Sequence, residues 1–188
     1  MKSFLYSLWE IIEITLVAVV AVLIIRYFLV QPFLVNGASM EPNFSNGDYL
    51  LIDEITYRFR EPLRGEAIVF HYPRDEKFYY IKRIIGLPGE ELEIKNGKVF
   101  IFNKEYPKGF VLDENYLPSG LETVGKEGRV VLTENEYFAF GDNRGFSSDS
   151  RFWGSVKYDN IVGLVRLRLW PLNKVMAFGF NENYQASK

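Results

Sequence analysis

Ser39 and Lys82 are the side chains whose surroundings best suit covalent chemistry. Ser39 sits in the run Val35-Asn36-Gly37-Ala38-Ser39-Met40-Glu41-Pro42. Gly37 permits a positive φ or a close backbone approach, and Pro42 stiffens the chain beyond. A serine on such a turn can present its hydroxyl outward, with backbone N–H groups nearby to receive an oxyanion. Lys82 lies in Tyr79-Tyr80-Ile81-Lys82-Arg83-Ile84-Ile85. As a strand, this run puts Tyr80, Lys82 and Ile84 on one face. An ammonium among apolar neighbours is penalised and its pKa falls, which a lysine needs to act as a general base near neutrality. Arg83 then points the other way, where it is expected to stay solvated. A third run, Gly141 to Gly154, gathers small, hydroxyl and charged residues. Asp149 and Arg151 can pair there, and the Ser147 hydroxyl can hold a neutral amine. Each run also has an ordinary reading: a turn serine, a snorkelling strand lysine, a self-bonded surface loop.

Other chemistries lack the residues they need. The 188-residue chain has no cysteine and one histidine, His71. Disulfides are excluded, and almost nothing is left to build a zinc site. A Ser-His-Asp triad would have to use His71, so a serine hydrolase here should use another base. Net charge is −2 with no basic block, which argues against a nucleic-acid face. With 48% apolar and 16% aromatic residues, the chain is set to form a packed core.

The elements that must position these side chains fall into two parts. Residues 1–31 are expected to form a membrane anchor. The uncharged run Ile14–Ile25 is short for a spanning helix, and extending it to Ile11–Val30 gives the length while admitting Glu13 and Arg26 near its ends. Trp9, Tyr6, Tyr27 and Phe28 flank it as interfacial aromatics. The run ends in Arg26-Tyr27-Phe28-Leu29-Val30, without the small-residue site of a cleaved leader. Residues 32–188 read as an all-β domain. Strand candidates are Phe33–Val35, Tyr49–Glu54, Ala67–Tyr72, Phe78–Ile85, Glu91–Lys95, Lys98–Phe102, Glu136–Phe140 and Ile161–Leu169. Asn96-Gly97 predicts a type I′ hairpin. Residues 103–127, with several Gly and Pro, read as a short loop-rich insertion, and 181–188 as a frayed tail.

The order and wording of these runs resemble bacterial signal peptidase I over nearly the whole chain. Its Ser-Met-x-Pro box stands here as Ser39-Met40-Glu41-Pro42. Its Arg-Gly-Asp-like box stands as Arg64-Gly65-Glu66-Ala67-Ile68-Val69-Phe70, and its Lys-Arg box as Lys82-Arg83-Ile84-Ile85-Gly86-Leu87-Pro88-Gly89-Glu90. Its Gly-Asp-Asn-Arg box runs from Gly141 to Arg151. The last two boxes carry most of the specificity. The resemblance implies a mainly β catalytic domain, a β-barrel or coiled antiparallel sheet, behind one N-terminal transmembrane helix. It implies Ser39 as nucleophile and Lys82 as general base, with Ser147 orienting the lysine amine. Asp149 and Arg151 would form a supporting ion pair, and Asp142 would be a structural carboxylate. Phe33, Val35, Gly37, Tyr79 and Ile81 would wall a groove for an extended substrate strand.

Three positions depart from the family pattern: Asn43 replaces a usual threonine, Glu66 an aspartate, and Gly37 a serine that donates to the oxyanion in some members. The hole would then rely on the Ser39 N–H and a second donor the sequence does not name. The implied activity is removal of signal peptides from preproteins after small residues at −1 and −3. No cofactor is expected, nor any nucleic-acid partner. The enzyme is expected to work as a monomer at the bilayer of the cell membrane, its catalytic domain on the extracytoplasmic side. Two other readings are a self-cleaving Ser-Lys repressor, whose DNA-binding region is replaced here by an apolar run, and a tethered peptide-binding β domain without activity.

Overall fold

A computed structural model describes residues 9–20, 30–126 and 128–179. Residues 9–20 are helical (α1) and exposed throughout, apolar apart from Glu10, Glu13 and Thr15; Ile14 and Val17 are 70% and 64% exposed. Among the described residues no helix is long and apolar enough to cross a membrane. The expected continuation through 21–29, with Tyr27 and Phe28, lies outside the described residues, as does the tail 181–188.

The remainder is β-rich. In chain order come β1 (Val30–Leu34), β2 (Tyr49–Asp53), α2 (Thr56–Phe59), β3 (Ala67–His71) and β4 (Tyr79–Gly86). They are followed by β5 (Glu91–Lys95), β6 (Lys98–Phe102), β7 (Phe110–Val111), β8 (Arg129–Val131) and β9 (Glu136–Phe140). Last come α3 (Ser150–Trp153), β10 (Val156–Lys157), β11 (Ile161–Trp170) and β12 (Met176–Ala177). One antiparallel sheet has the order β1-β2-β11-β3-β4-β9-β10, with β12 on β11; the other has the order β7-β6-β5-β8. The first sheet starts at β1 and ends at β10 without joining them, so the expected barrel is an open pair of sheets. The longer expected strands are present within about a residue at each end, and β5, β6 and β9 have the expected bounds. At the β5–β6 turn, Lys95 faces Lys98 across Asn96 and Gly97, both at positive φ, as a type I′ turn requires.

Two features of the sheet shape the site. Pro32 lies in β1, which has no strand on its outer side among the described residues; an edge tolerates the missing N–H. β4 pairs with β3 from Tyr79 to Arg83, but with β9 only at Arg83, Ile84 and Gly86. Its first residues, Tyr79 to Lys82, therefore have a free edge among the described strands. The Phe33 and Tyr79 rings meet edge to face, 5.3 Å between centroids, linking the two free edges.

Three apolar clusters underlie the sheets. One gathers Val35, Met40, Phe44, Leu50, Ile52 and Val165; a second gathers Ile68, Phe70, Ile84 and Tyr137; a third gathers Ile85, Leu92, Ile101, Phe138 and Phe140. Gly163 sits beside an irregularity in the β11–β3 pairing, tight against β2. A Cβ there would lie 2.5 Å from the Asp53 carbonyl oxygen. Gly163→Ala should therefore cost about 1–3 kcal/mol through forced backbone displacement. A melting curve checks this, and an unchanged midpoint would show that β2 can yield.

Candidate active site

The turn that carries Ser39 is pinned on both sides. Val35 and Met40 are buried, 6% and 1% exposed, and join the first apolar cluster. Between them the chain cannot continue as a strand, because Gly37 adopts φ +101°. The Gly37 N–H donates to Asn46 Oδ1 at 2.9 Å, and the Val35 N–H to the Asp48 carbonyl at 2.9 Å. Ser39 is thus lifted from the core while its neighbours are sunk into it.

Lys82 comes to Ser39 from β4. Its Nζ donates to Ser39 Oγ at 2.8 Å and to the Ile81 carbonyl at 2.9 Å, and lies 5.2 Å from the Tyr80 ring centroid. The side chain is 4% exposed. Burial lowers its pKa from the ordinary 10.5 to about 8, against the opposing pull of Asp149 and Asp142. Desolvation wins because neither carboxylate bonds the ammonium: each is committed to a guanidinium. Once neutral, the amine has a lone pair to accept the Ser39 proton along the same contact. His71 takes no part, its Nδ1 lying 2.7 Å from the Glu76 carbonyl.

The 141–151 segment is built on two carboxylates that are 0% exposed, Asp142 and Asp149. Asp149 accepts from Arg151 Nε and Nη2 at 2.8 and 2.7 Å and from the Gly141 N–H at 2.9 Å, the expected pair. Asp142 accepts from Arg83 Nε and Nη2 at 2.8 and 2.6 Å and from Asn43 Nδ2 at 2.9 Å. This corrects the expectation for Arg83. Its side chain does point away from Lys82, but that face of β4 is covered, and Arg83 is 9% exposed and ion-paired. The departure at Asn43 is accounted for as well: an amide donates to Asp142 and to the Tyr116 carbonyl. Glu66, the other substitution, accepts from the Tyr57 hydroxyl, Arg60 and the Leu63 N–H. That places it away from the dyad.

Residues 103–127, expected as an insertion, brace this loop. Glu114 and Thr123 bond Arg144, Tyr116 Oη accepts from Arg144 at 2.7 Å, and the Val124 carbonyl accepts from Arg151 at 2.8 Å. Tyr116 also lies under Arg83, 4.2 Å from guanidinium carbon to ring centroid. Their polar composition gave no hint of this, because the partners lie far along the chain.

A groove of about 670 Å³ runs beside Ser39 and Lys82, and Phe33, Val35, Gly37, Tyr79 and Ile81 are among the residues that line it. Ser147 differs from expectation: its hydroxyl is buried and bonds neither Lys82 nor any other group among the described residues. It packs on Gly141, a residue the sequence reading gave no role. A Cβ on Gly141 would lie 2.1 Å from Ser147 Oγ and 2.4 Å from the Ser39 carbonyl oxygen. Gly141→Ala must therefore push the 141–147 loop off the serine turn. Turnover should fall at least about tenfold with a stability loss of about 1–3 kcal/mol. Wild-type turnover in that variant would show the loop has slack.

Known proteins are similar to this chain over much of its length. The family model described as "Signal peptidase, peptidase S26" matches residues 8–170. A signal peptidase I of Leptolyngbya laminosa is 35% identical over 174 residues, covering 89% of this chain and 82% of that protein. A signal peptidase I P of Bacillus subtilis subsp. natto is 34% identical over 169 residues, 87% of this chain and 90% of the relative. A crystal structure of a signal peptidase I from Enterococcus faecalis aligns with TM-score 0.46 and 29% identity, covering 56% of this chain and 97% of that one. With a family match spanning most of its length and relatives matched over nearly all of theirs, this chain belongs to the signal peptidase family, peptidase S26, and is a serine endopeptidase.

Proposed function

We propose that this protein removes signal peptides from exported preproteins with a Ser39–Lys82 dyad, cutting after small residues at −1 and −3. The observation that carries the assignment is a buried lysine, its pKa lowered to about 8, in hydrogen-bond contact with a serine that lines a groove. In the first half of the cycle, Ser39 Oγ bonds to the scissile carbonyl carbon as its proton passes to neutral Lys82. The C–N bond then breaks, and the leaving amine takes that proton. In the second half, Lys82 deprotonates a water, whose oxygen attacks the ester carbon. The Ser39–carbon bond breaks, and Oγ regains the proton. The Ser39 N–H, without a hydrogen-bond partner among the described residues, is the backbone donor for the oxyanion.

The free edges of β1 and β4 suit an extended substrate added as a strand, with alternate side chains directed at the groove. The unpartnered Ser147 hydroxyl can accept an N–H from the lysine amine as it turns toward substrate. Asp149, Arg151 and Asp142 keep that neighbourhood rigid. The exposed apolar α1 supports tethering to the cell membrane, with the catalytic domain on the extracytoplasmic side. Tethering would hold enzyme and preprotein at one surface and raise their effective concentration.

The pH dependence follows from the sign of the shift. Lys82 works deprotonated, so kcat/KM should rise about tenfold per pH unit below 8 and level off above it. Ser39→Ala and Lys82→Ala should each lower preprotein cleavage by about 10³-fold or more while the melting curve survives. Cleavage retained in either variant, or a rate flat between pH 6 and 9, would sink the dyad.

A further inference from the structure

The two peptide units that flank Ser39 are both held by Asn143. Asn143 donates through Nδ2 to the Ala38 carbonyl at 3.1 Å and through its backbone N–H to the Ser39 carbonyl at 3.0 Å. The Glu41 N–H gives the Ala38 carbonyl a second donor at 3.2 Å. The Ala38–Ser39 peptide is not among the chain's cis bonds, so its C=O and N–H point in opposite directions within one plane. Fixing the oxygen fixes the direction of the Ser39 N–H. Donors on a carbonyl also polarise the amide and strengthen its N–H as a donor. Gly37, which offers no side-chain hydroxyl, leaves that backbone N–H with a larger share of the work.

We infer that Asn143 is a positioning residue of the oxyanion hole: its carboxamide aims and polarises the Ser39 N–H through the Ala38 carbonyl without touching substrate. The side chain is well placed for this. It is only half-buried, and among the described residues it bonds neither carboxylate of the loop and has that carbonyl as its one side-chain partner. The contact spans 105 residues of sequence, linking the start of the Gly141 loop to the serine turn. Simple anchoring of the loop needs less, because the Asn143 backbone N–H on Ser39 already supplies it.

The inference rests on the peptidase reading, and one set of measurements separates the two. Asn143→Ala and Asn143→Asp, in the full chain with a preprotein substrate, should lower kcat about 10- to 100-fold, less than deletion of an oxyanion donor at its most severe. KM should stay within about twofold, because ground-state strand binding is untouched. A peptide aldehyde of the substrate sequence forms a tetrahedral adduct on serine, the Ser39 proton passing to the former carbonyl oxygen. Its affinity should fall in proportion to kcat/KM. The pH midpoint near 8 should not move in Asn143→Ala, since Lys82 keeps its surroundings. Three results would each overturn the inference alone: wild-type kcat in either variant, a loss expressed in KM only, or a displaced pH midpoint in Asn143→Ala. A wild-type chain that cuts no preprotein would overturn the peptidase reading, and the inference with it.

Discussion

A guanidinium and a carboxylate, both shielded from water, join β4 to the loop that closes the site. Arg83 meets Asp142 through two parallel contacts of 2.8 and 2.6 Å, and the carboxylate is 0% exposed. Removing water from both charges is costly, and only the paired geometry with every remaining polar atom engaged offsets it. Arg83 Nη1 goes to the Gly65 carbonyl, and Asn43 completes Asp142. Because Arg83 follows Lys82 in sequence, strand alternation sends one cation to the groove and the other to the loop. Register at one locks register at the other. A one-residue slip of β4 would bury Lys82 against Asp142 and strand Arg83 in the groove.

The same logic explains how Lys82 loses affinity for its proton with two buried carboxylates in range. Asp142 and Asp149 both favour the ammonium, yet burial dominates. Each acid already has its own guanidinium, so its field at Lys82 is largely compensated. A loop with the same acids and no arginines would leave the lysine charged.

Much of this was legible in the chain's own alternation and punctuation. Asn96-Gly97 fixed a hairpin because only a few residues tolerate positive φ, and the Tyr80-Lys82-Ile84 face followed from period two. The Asp149–Arg151 pair was visible because its members are two residues apart, Asp149 capping the short helix α3 that holds Arg151. What escaped notice depends on partners that sequence spacing does not reveal. Arg83 looked solvated because nothing in residues 103–127 advertises that Tyr116 and its neighbours fold over it. Gly141 looked like one more loop glycine, although its hydrogen lies where Ser39 and Ser147 leave no room for a methyl group. The Ser147 hydroxyl was expected on the lysine and instead has no hydrogen-bond partner among the described residues. The barrel gave way to two open sheets, since closure depends on edge pairing that strand count alone does not set.

The bracing of the serine turn by distant segments has a consequence in time. Ser39 and Lys82 are 43 residues apart, Ala38 and Asn143 are 105 apart, and Arg168 reaches back 125 residues to the Asn43 carbonyl. Contacts of such span form late, after the intervening loops have closed. Until then the lysine is hydrated and fully protonated at neutral pH, and the serine is an alcohol like any other. A newly made chain therefore carries no working protease through its own synthesis. Activity switches on only when the last strands dock, so folding itself acts as the safety catch.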